Sequence, residues 1–210
     1  MTSIERMVLL GPPGAGKGTQ AKRIAAATGR IHLSSGDILR GEVSRRTALG
    51  RQAQAYMDRG DLVPDGLIIE MIRSRIAGED GFILDGFPRT VAQAEALETV
   101  TELDVVINID LQRTEVIRRL TARRVCAACG AIHNLAFAGL EEGAACPACG
   151  GTLMQRDDDR QEVIERRYDV YAEQTAPLIA FYRERGLLRD VDGARSSDEV
   201  FSDIRGLIGR

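Results

Sequence analysis

Lysine is nearly missing from this chain: of 28 basic residues, only Lys17 and Lys22 are not arginine. A lysine inside a glycine-rich loop therefore stands out against a background that hardly uses the residue. Cysteine is sparse too, with four residues in two close pairs, Cys126/Cys129 and Cys146/Cys149, and none elsewhere. Paired cysteines in such a chain favour a bound metal over a disulfide framework. Positive charge is not in excess, the formal net charge being -3, which argues against general affinity for nucleic acid or acidic membranes. No apolar run is long enough to cross a bilayer, and Met1 to Arg6 carry no signal-like segment, so a cytoplasmic location is expected. Internal repeats and low-complexity tracts are also missing. What remains is ordinary: 210 residues, 44% hydrophobic and 28% charged, enough for one sizeable domain with small insertions.

The most informative stretch is Gly11-Pro12-Pro13-Gly14-Ala15-Gly16-Lys17-Gly18-Thr19. It follows the apolar run Met7 to Leu10, which reads as a buried strand, and it leads into a helical stretch from Gln20 to Ala27. Strand, glycine-rich turn and helix together form a phosphate cradle. Glycines let backbone N–H groups converge on an anion, and the helix N-terminus adds unpaired donors and partial positive charge. Lys17 reaches the outer phosphates, and Thr19 offers a hydroxyl to phosphate or Mg²⁺. Here Gly18 separates the lysine from the hydroxyl residue, a departure from the strict pattern.

Further along, Ile31 to Leu33 reads as a short strand, with His32 a strand-end residue. Ser34-Ser35-Gly36-Asp37 then caps a helix from Ile38 to about Arg46 that carries Arg40. Two more helices, roughly 49–58 and 66–77, precede the next strand, so residues between strands form a helical insert. Gly81 to Leu84 is apolar and ends in Asp85-Gly86-Phe87-Pro88-Arg89-Thr90, which puts an acidic residue on the strand edge where α/β sheets bind ligands. Asp85 can hold Mg²⁺ directly or through water. The spacing predicts a helix over 91–100, a strand over 105–109, and a helix over 113–124 in which Arg119 and Arg123 share a face. Apolar strands alternating with helices imply a doubly wound parallel α/β sheet. The two Cys-x-x-Cys pairs flank residues 130–145 and fit tetrahedral Zn²⁺ in a closed, structural site. Asp157 to Asp159 are expected to cap a helix running from 160 to about 185, bent near Pro177. A last strand over 187–191 precedes a helix capped at Ser196 and ending near Ile208.

Four segments, Gly11 to Thr19, Ser34 to Arg40, Leu84 to Thr90 and Arg123 to Cys126, resemble in order those of bacterial adenylate kinases. The cysteine pairs resemble the zinc-containing lid of the long form. That resemblance implies a three-layer P-loop fold with a five-stranded parallel sheet. It divides the chain into a core (1–33, 64–124 and 163–210), a monophosphate-binding flap (34–63) and a zinc-binding lid (125–162). The reaction it implies is MgATP plus AMP giving two ADP. Separately, nothing in the residues suggests an oligomer interface, so a monomer is expected, and the charge balance gives no reason to expect nucleic-acid or membrane partners.

The same resemblance assigns roles. Gly14, Ala15, Gly16, Lys17, Gly18 and Thr19 would hold the ATP phosphates, with Asp85 on Mg²⁺. Ser35, Arg40, the backbone of Asp61, Leu62 and Val63, then Gly86, Phe87, Pro88, Arg89 and Gln93 would form the AMP pocket. Arg119 and Arg123 match arginines on the ATP phosphates, and Arg156 and Arg167 match the pair that clamps AMP and the transferred group. Ile132 and His133 fall where the lid meets the ATP base, and Arg195 falls at a backbone contact to adenine. Cys126, Cys129, Cys146 and Cys149 would hold zinc. The stretch 133–139 departs from the proline-bearing lid tip of the zinc form.

Other assignments compete with this one. A kinase preferring UMP or CMP, or one using GTP to phosphorylate AMP, would share these motifs. A zinc-ribbon nucleic-acid module would need a basic stripe with aromatics near the cysteines; Gly139-Leu140-Glu141-Glu142-Gly143 is acidic instead.

Overall fold

The computed structural model describes residues 4–209. Among them, five strands form one parallel sheet: β1 (Arg6–Leu10), β2 (Ile31–Ser34), β3 (Phe82–Asp85), β4 (Val105–Asp110) and, near the C-terminus, Leu188–Asp192, which pairs with β4. In space β1 is central, between β3 and β4, with β2 outside β3. Central strands of such a sheet are covered on both faces and so read as unbroken apolar runs. In β1 and its neighbours, Val8, Leu10, Leu84 and Val106 belong to one core cluster and Met7, Leu9, Ile83 and Ile107 to the other. Alternation with a period of two sends successive side chains to opposite layers. Each such side chain, fully buried, contributes about 1.5–3 kcal/mol.

Helices fill the layers. The first, α1 (Lys17–Thr28), returns the chain from β1 to β2. Three helices then rise between β2 and β3: α2 (Ser35–Ser44), α3 (Ala48–Arg59) and α4 (Asp65–Ile76). Their ends follow local chemistry. The Ser34 hydroxyl accepts from the Asp37 N–H, Thr47 caps α3 by accepting from Gly50, and Gly60 closes α3 at φ 78°. Next come α5 (Val91–Glu98) before β4 and α6 (Arg113–Thr121) after it.

A second, antiparallel sheet follows, made of β5 (Arg123–Cys126), β6 (Ile132–Asn134) and β7 (Leu153–Met154), with β5 in the middle. A single turn, α7 (Leu135–Ala138), extends β6. The chain rejoins the main body through α8 (Gln161–Val170) and α9 (Pro177–Glu184), then β8 (Leu188–Asp192) and α10 (Ser197–Ile208). A reciprocal Ser196–Glu199 capping box starts α10. No helix among the described residues is long and apolar enough to cross a membrane.

Three sequence expectations are corrected. Arg123 is not on a helix with Arg119: α6 ends at Thr121, and Arg123 opens β5 because the antiparallel partner Asn134 takes over its backbone. The helix expected over 160–185 is two helices joined by a π-helical turn at Tyr171–Thr175. The break precedes the proline, since Pro177 sits at the first turn of α9, where a missing N–H costs nothing. Thr175 is held there by its hydroxyl, which donates to the Arg89 carbonyl at 2.8 Å. Finally, Asp157–Asp159 forms a 3₁₀ turn and no side chain caps α8. Asp159 is buried completely because two arginines draw it inward.

Candidate functional site: a two-chambered cleft

At the carboxyl edge of the large sheet, the ends of β1, β2 and β3 and the loop after β8 border a cleft of about 640 Å³. This is where strand ends splay apart in open α/β sheets. The loop after β1 wraps its floor. Gly11 there has φ 135°, and a Cβ on it would lie 2.3 Å from the Ile109 carbonyl oxygen. Gly16 precedes α1 at φ 95°, and no side chain caps the helix. The first N–H groups of α1 are thus presented to the cleft as anion donors.

Lys17 lies over this loop, its Nζ donating to the Gly11 and Pro12 carbonyls at 2.8 and 2.9 Å. Burial pushes its ammonium down to about 8, although the nearby Asp85 carboxylate favours the charged form. Burial also opposes ionisation of Asp85, but His32, Lys17 and Arg89 together hold it below the ordinary carboxylate value. His32 Nε2 is 3.6 Å from Asp85 Oδ2. Expected only as a strand-end residue, His32 has its ring beside the acidic end of β3.

Arginines ring the cleft. Arg123 makes a fork on Asp159, with Nε to Oδ2 at 2.7 Å and Nη2 to Oδ1 at 2.5 Å. Arg167 reaches Asp159 and Asp158 at 3.2 Å each. Burial lowers Arg89 and Arg156 to about 10, with like charge from Arg167 and Arg40 respectively adding to the effect. Arg119 is held on Glu115 at 2.7 Å and stands 5.6 Å from the Phe137 ring. Assembling this much positive charge is unfavourable without anions, and the two aspartates supply part of the compensation.

A second chamber of about 70 Å³ opens beside the first, lined by Ser35, Asp61, Leu62, Val63 and Gln93 among others. Gly86 forms its rim with φ 75°, where a Cβ would fall 2.9 Å from Ser35 Oγ. Gln93 is anchored at both ends, donating to Asp65 Oδ1 at 2.6 Å and accepting from the Arg89 N–H at 2.7 Å. Arg40, Arg89 and Arg167 border both chambers.

In the small sheet the four cysteine sulfurs lie within 4.8 Å of one another. Cys126 and Cys149 are 3.5 Å apart, and Cys129 and Cys146 are 3.8 Å apart. Sulfurs on a tetrahedral zinc with Zn–S near 2.3 Å are separated by roughly 3.8 Å, so the set fits the ion. The N–H of Cys129, followed by that of Ala128, stabilises the Cys126 thiolate against burial and brings that thiol down to about 6.

The family model described as "Adenylate kinase" matches residues 9–187. The chain belongs to the adenylate kinase family. It is 49% identical to the adenylate kinase of Methanocella arvoryzae over 97% of this chain and 98% of that one. The adenylate kinases of Carboxydothermus hydrogenoformans and Archaeoglobus fulgidus are 48% and 47% identical, across at least 96% of this chain.

Against this family background, the residues singled out from sequence largely meet in one place. Gly14 to Thr19, Asp85, Arg119, Arg123 and Arg156 border the large chamber. Two of these residues stand apart from the rest in their contacts. Phe87 borders neither chamber; it is 1% exposed and packs into the core with Leu84 and Leu97. His133 lies along the large chamber, but its ring Nε2 is 3.4 Å from Cys146 Sγ, on the metal side of the sheet. Arg195 also borders the large chamber, with its guanidinium on Glu199 and Asp203. Sequence reasoning missed Asp158 and Asp159 as partners of the arginines, and Asp65 as the anchor of Gln93. Three consecutive acids directly after Arg156 were a signal of compensating charge.

Proposed function

We propose that the two chambers hold ATP and AMP end to end, so that the cleft moves the terminal phosphoryl group of MgATP to AMP and returns two ADP. This is the reaction of the family to which the chain belongs. The observation that carries the reading is the shared wall: Arg40, Arg89 and Arg167 border both chambers, where one phosphate chain would meet the other. On this reading the α1 N-terminus, Lys17 and Thr19 take the β- and γ-phosphates of ATP, and Arg119, Arg123 and Arg156 surround the transferred group. Ser35, the 61–63 backbone, Gly86 and Gln93 seat AMP, with Arg40 and Arg89 on its phosphate.

The chemistry follows from charge. An AMP phosphate oxygen attacks the γ-phosphorus in line, the bond to the bridging oxygen breaks, and ADP leaves. Because the attacking oxygen is already ionised, no general base is required. Phosphoryl transfer depends on positioning and on neutralising spread negative charge. Guanidinium forks suit phosphate oxygens geometrically. As phosphates enter, they replace Asp158 and Asp159 as partners of Arg123 and Arg167, so the arginines arrive already oriented. Mg²⁺ comes with ATP and would be held through water by Asp85, adding charge neutralisation at the β- and γ-oxygens. Closure of the flap (34–63) and the lid (125–162) over the core would exclude water and protect ATP from hydrolysis.

Zinc is the metal that best suits the four-thiolate set, and with no open position its role is structural. Unpaired thiols arranged for a metal agree with a reducing, cytoplasmic compartment. We read the working unit as a monomer, since a single copy of the chain furnishes both chambers and the arginine wall they share. Incubating the pure protein with MgATP and each of AMP, UMP and CMP, and with MgGTP and AMP, tests the assignment. Formation of ADP with ATP and AMP is the expected result, and preferential use of another pair would overturn it.

A further inference from the structure

His133 borders the large chamber, yet it alternates with Ile132 along β6 and so stands on the opposite face of the small sheet from it. In β6 and β5, His133 lies opposite Arg124 and Ile132 opposite Val125; in β5 and β7, Cys126 lies opposite Leu153. Opposed residues share a face and successive ones alternate. One face therefore carries His133, Arg124, Cys126 and Leu153, and the other carries Ile132, Val125 and Met154. The ring of His133 reaches Cys146, with Nε2 3.4 Å from Sγ. From the same strand, Asn134 donates to the Arg119 carbonyl at 2.8 Å, so β6 is tied to the sulfur cluster on one side and to the end of α6 on the other.

We propose that His133 is a positioning residue for the metal centre, donating its Nε2–H to the metal-bound sulfur of Cys146. A metal-bound thiolate has no proton and can only accept, which places an imidazole proton on Nε2. Four thiolates on one divalent ion carry two excess negative charges, and an N–H aimed at one sulfur offsets part of that charge. Hydrogen bonds to ligand atoms orient ligands and tighten metal retention. The same bond locks the register of β6, which holds Ile132 on the cleft side.

This inference rests on the cysteines holding a metal, so metal content of the purified full-length protein is measured first. A metal-free wild-type protein overturns both readings, whereas a loaded one leaves the next result to bear on His133 alone. The readout is the rate of metal transfer to a chromophoric chelator. His133→Phe is expected to release metal roughly ten- to a hundredfold faster than wild type. His133→Gln, which keeps an N–H donor, is expected to recover most of the difference. Equal rates in His133→Phe and wild type, or no recovery with Gln, would refute the bond. If the phenylalanine variant fails to fold, the wild-type protein decides. With two histidines in the chain, side-chain ¹⁵N spectra resolve both rings. A slowly exchanging proton on Nε2 of His133 supports the proposal; a proton on Nδ1 alone, or Nε2 bound directly to the metal, excludes it.

Discussion

At Lys17, burial and phosphate act in opposite directions. Burial brings the free ammonium down to about 8, from 10.5 in an unconstrained chain. Between those values the unfolded lysine keeps a proton that the folded one has lost, so this group makes stability rise with pH across that window. A polyphosphate beside the ammonium favours its charged form and raises the value again. Binding of MgATP at about pH 8.5 should therefore take up a fraction of a proton. Calorimetry in two buffers of different ionisation enthalpy measures it, and Lys17→Met should abolish both this uptake and phosphoryl transfer without loss of fold. Asp159 makes a complementary case. Asp159→Asn leaves Arg123 and Arg167 close together with their main compensating carboxylate removed, at a cost of about 3 kcal/mol in the nucleotide-free protein. The melting temperature should fall roughly 6–12 °C. Inorganic tripolyphosphate should restore more of it than it adds to wild type, because phosphate oxygens replace the lost partner.

At the level of elements, the three strands of the small sheet have little apolar surface to hide. Ile132 and Met154 are 40% and 54% exposed, so packing alone cannot carry this piece. A metal held by the four cysteines, as proposed, would supply the missing folding energy. Chelation should therefore unfold residues 123–154 first, seen as faster amide exchange there, while the parallel sheet keeps its protection. Uniform loss of protection across the chain would contradict this. The π-helical turn at Tyr171–Thr175 behaves differently. It is fixed by Thr175 on the Arg89 carbonyl, a contact 86 residues away in sequence, and it brings both Tyr171 and Thr175 to the cleft wall. Local propensity gives no hint of such an insertion, since the contact that holds it comes from a distant part of the chain.

For the molecule as a whole, two chambers with a common wall of arginines imply that one ligand can fill both. Two adenosines joined by five phosphates should bind at least about a hundredfold tighter than ATP, because the second half binds without a second loss of translational freedom. Titration calorimetry at fixed Mg²⁺ checks this. Affinity no better than that of ATP would mean that the chambers do not hold nucleotides end to end.

The phosphate loop, the four cysteines, the apolar strands and the order of the helices were all legible in the residues themselves. Each depends on neighbours a few positions away: glycines at left-handed turns, paired cysteines at knuckle spacing, runs of β-branched and aliphatic side chains. Tertiary structure decided the rest. It took Arg123 off its expected helix, buried the Phe87 side chain in the core, turned Asp159 from a helix cap into the partner of two arginines, and aimed His133 at sulfur. These outcomes depend on which strand lies opposite and which charge must be compensated across tens of residues. Local spacing carries no record of partners that meet only when the chain has folded.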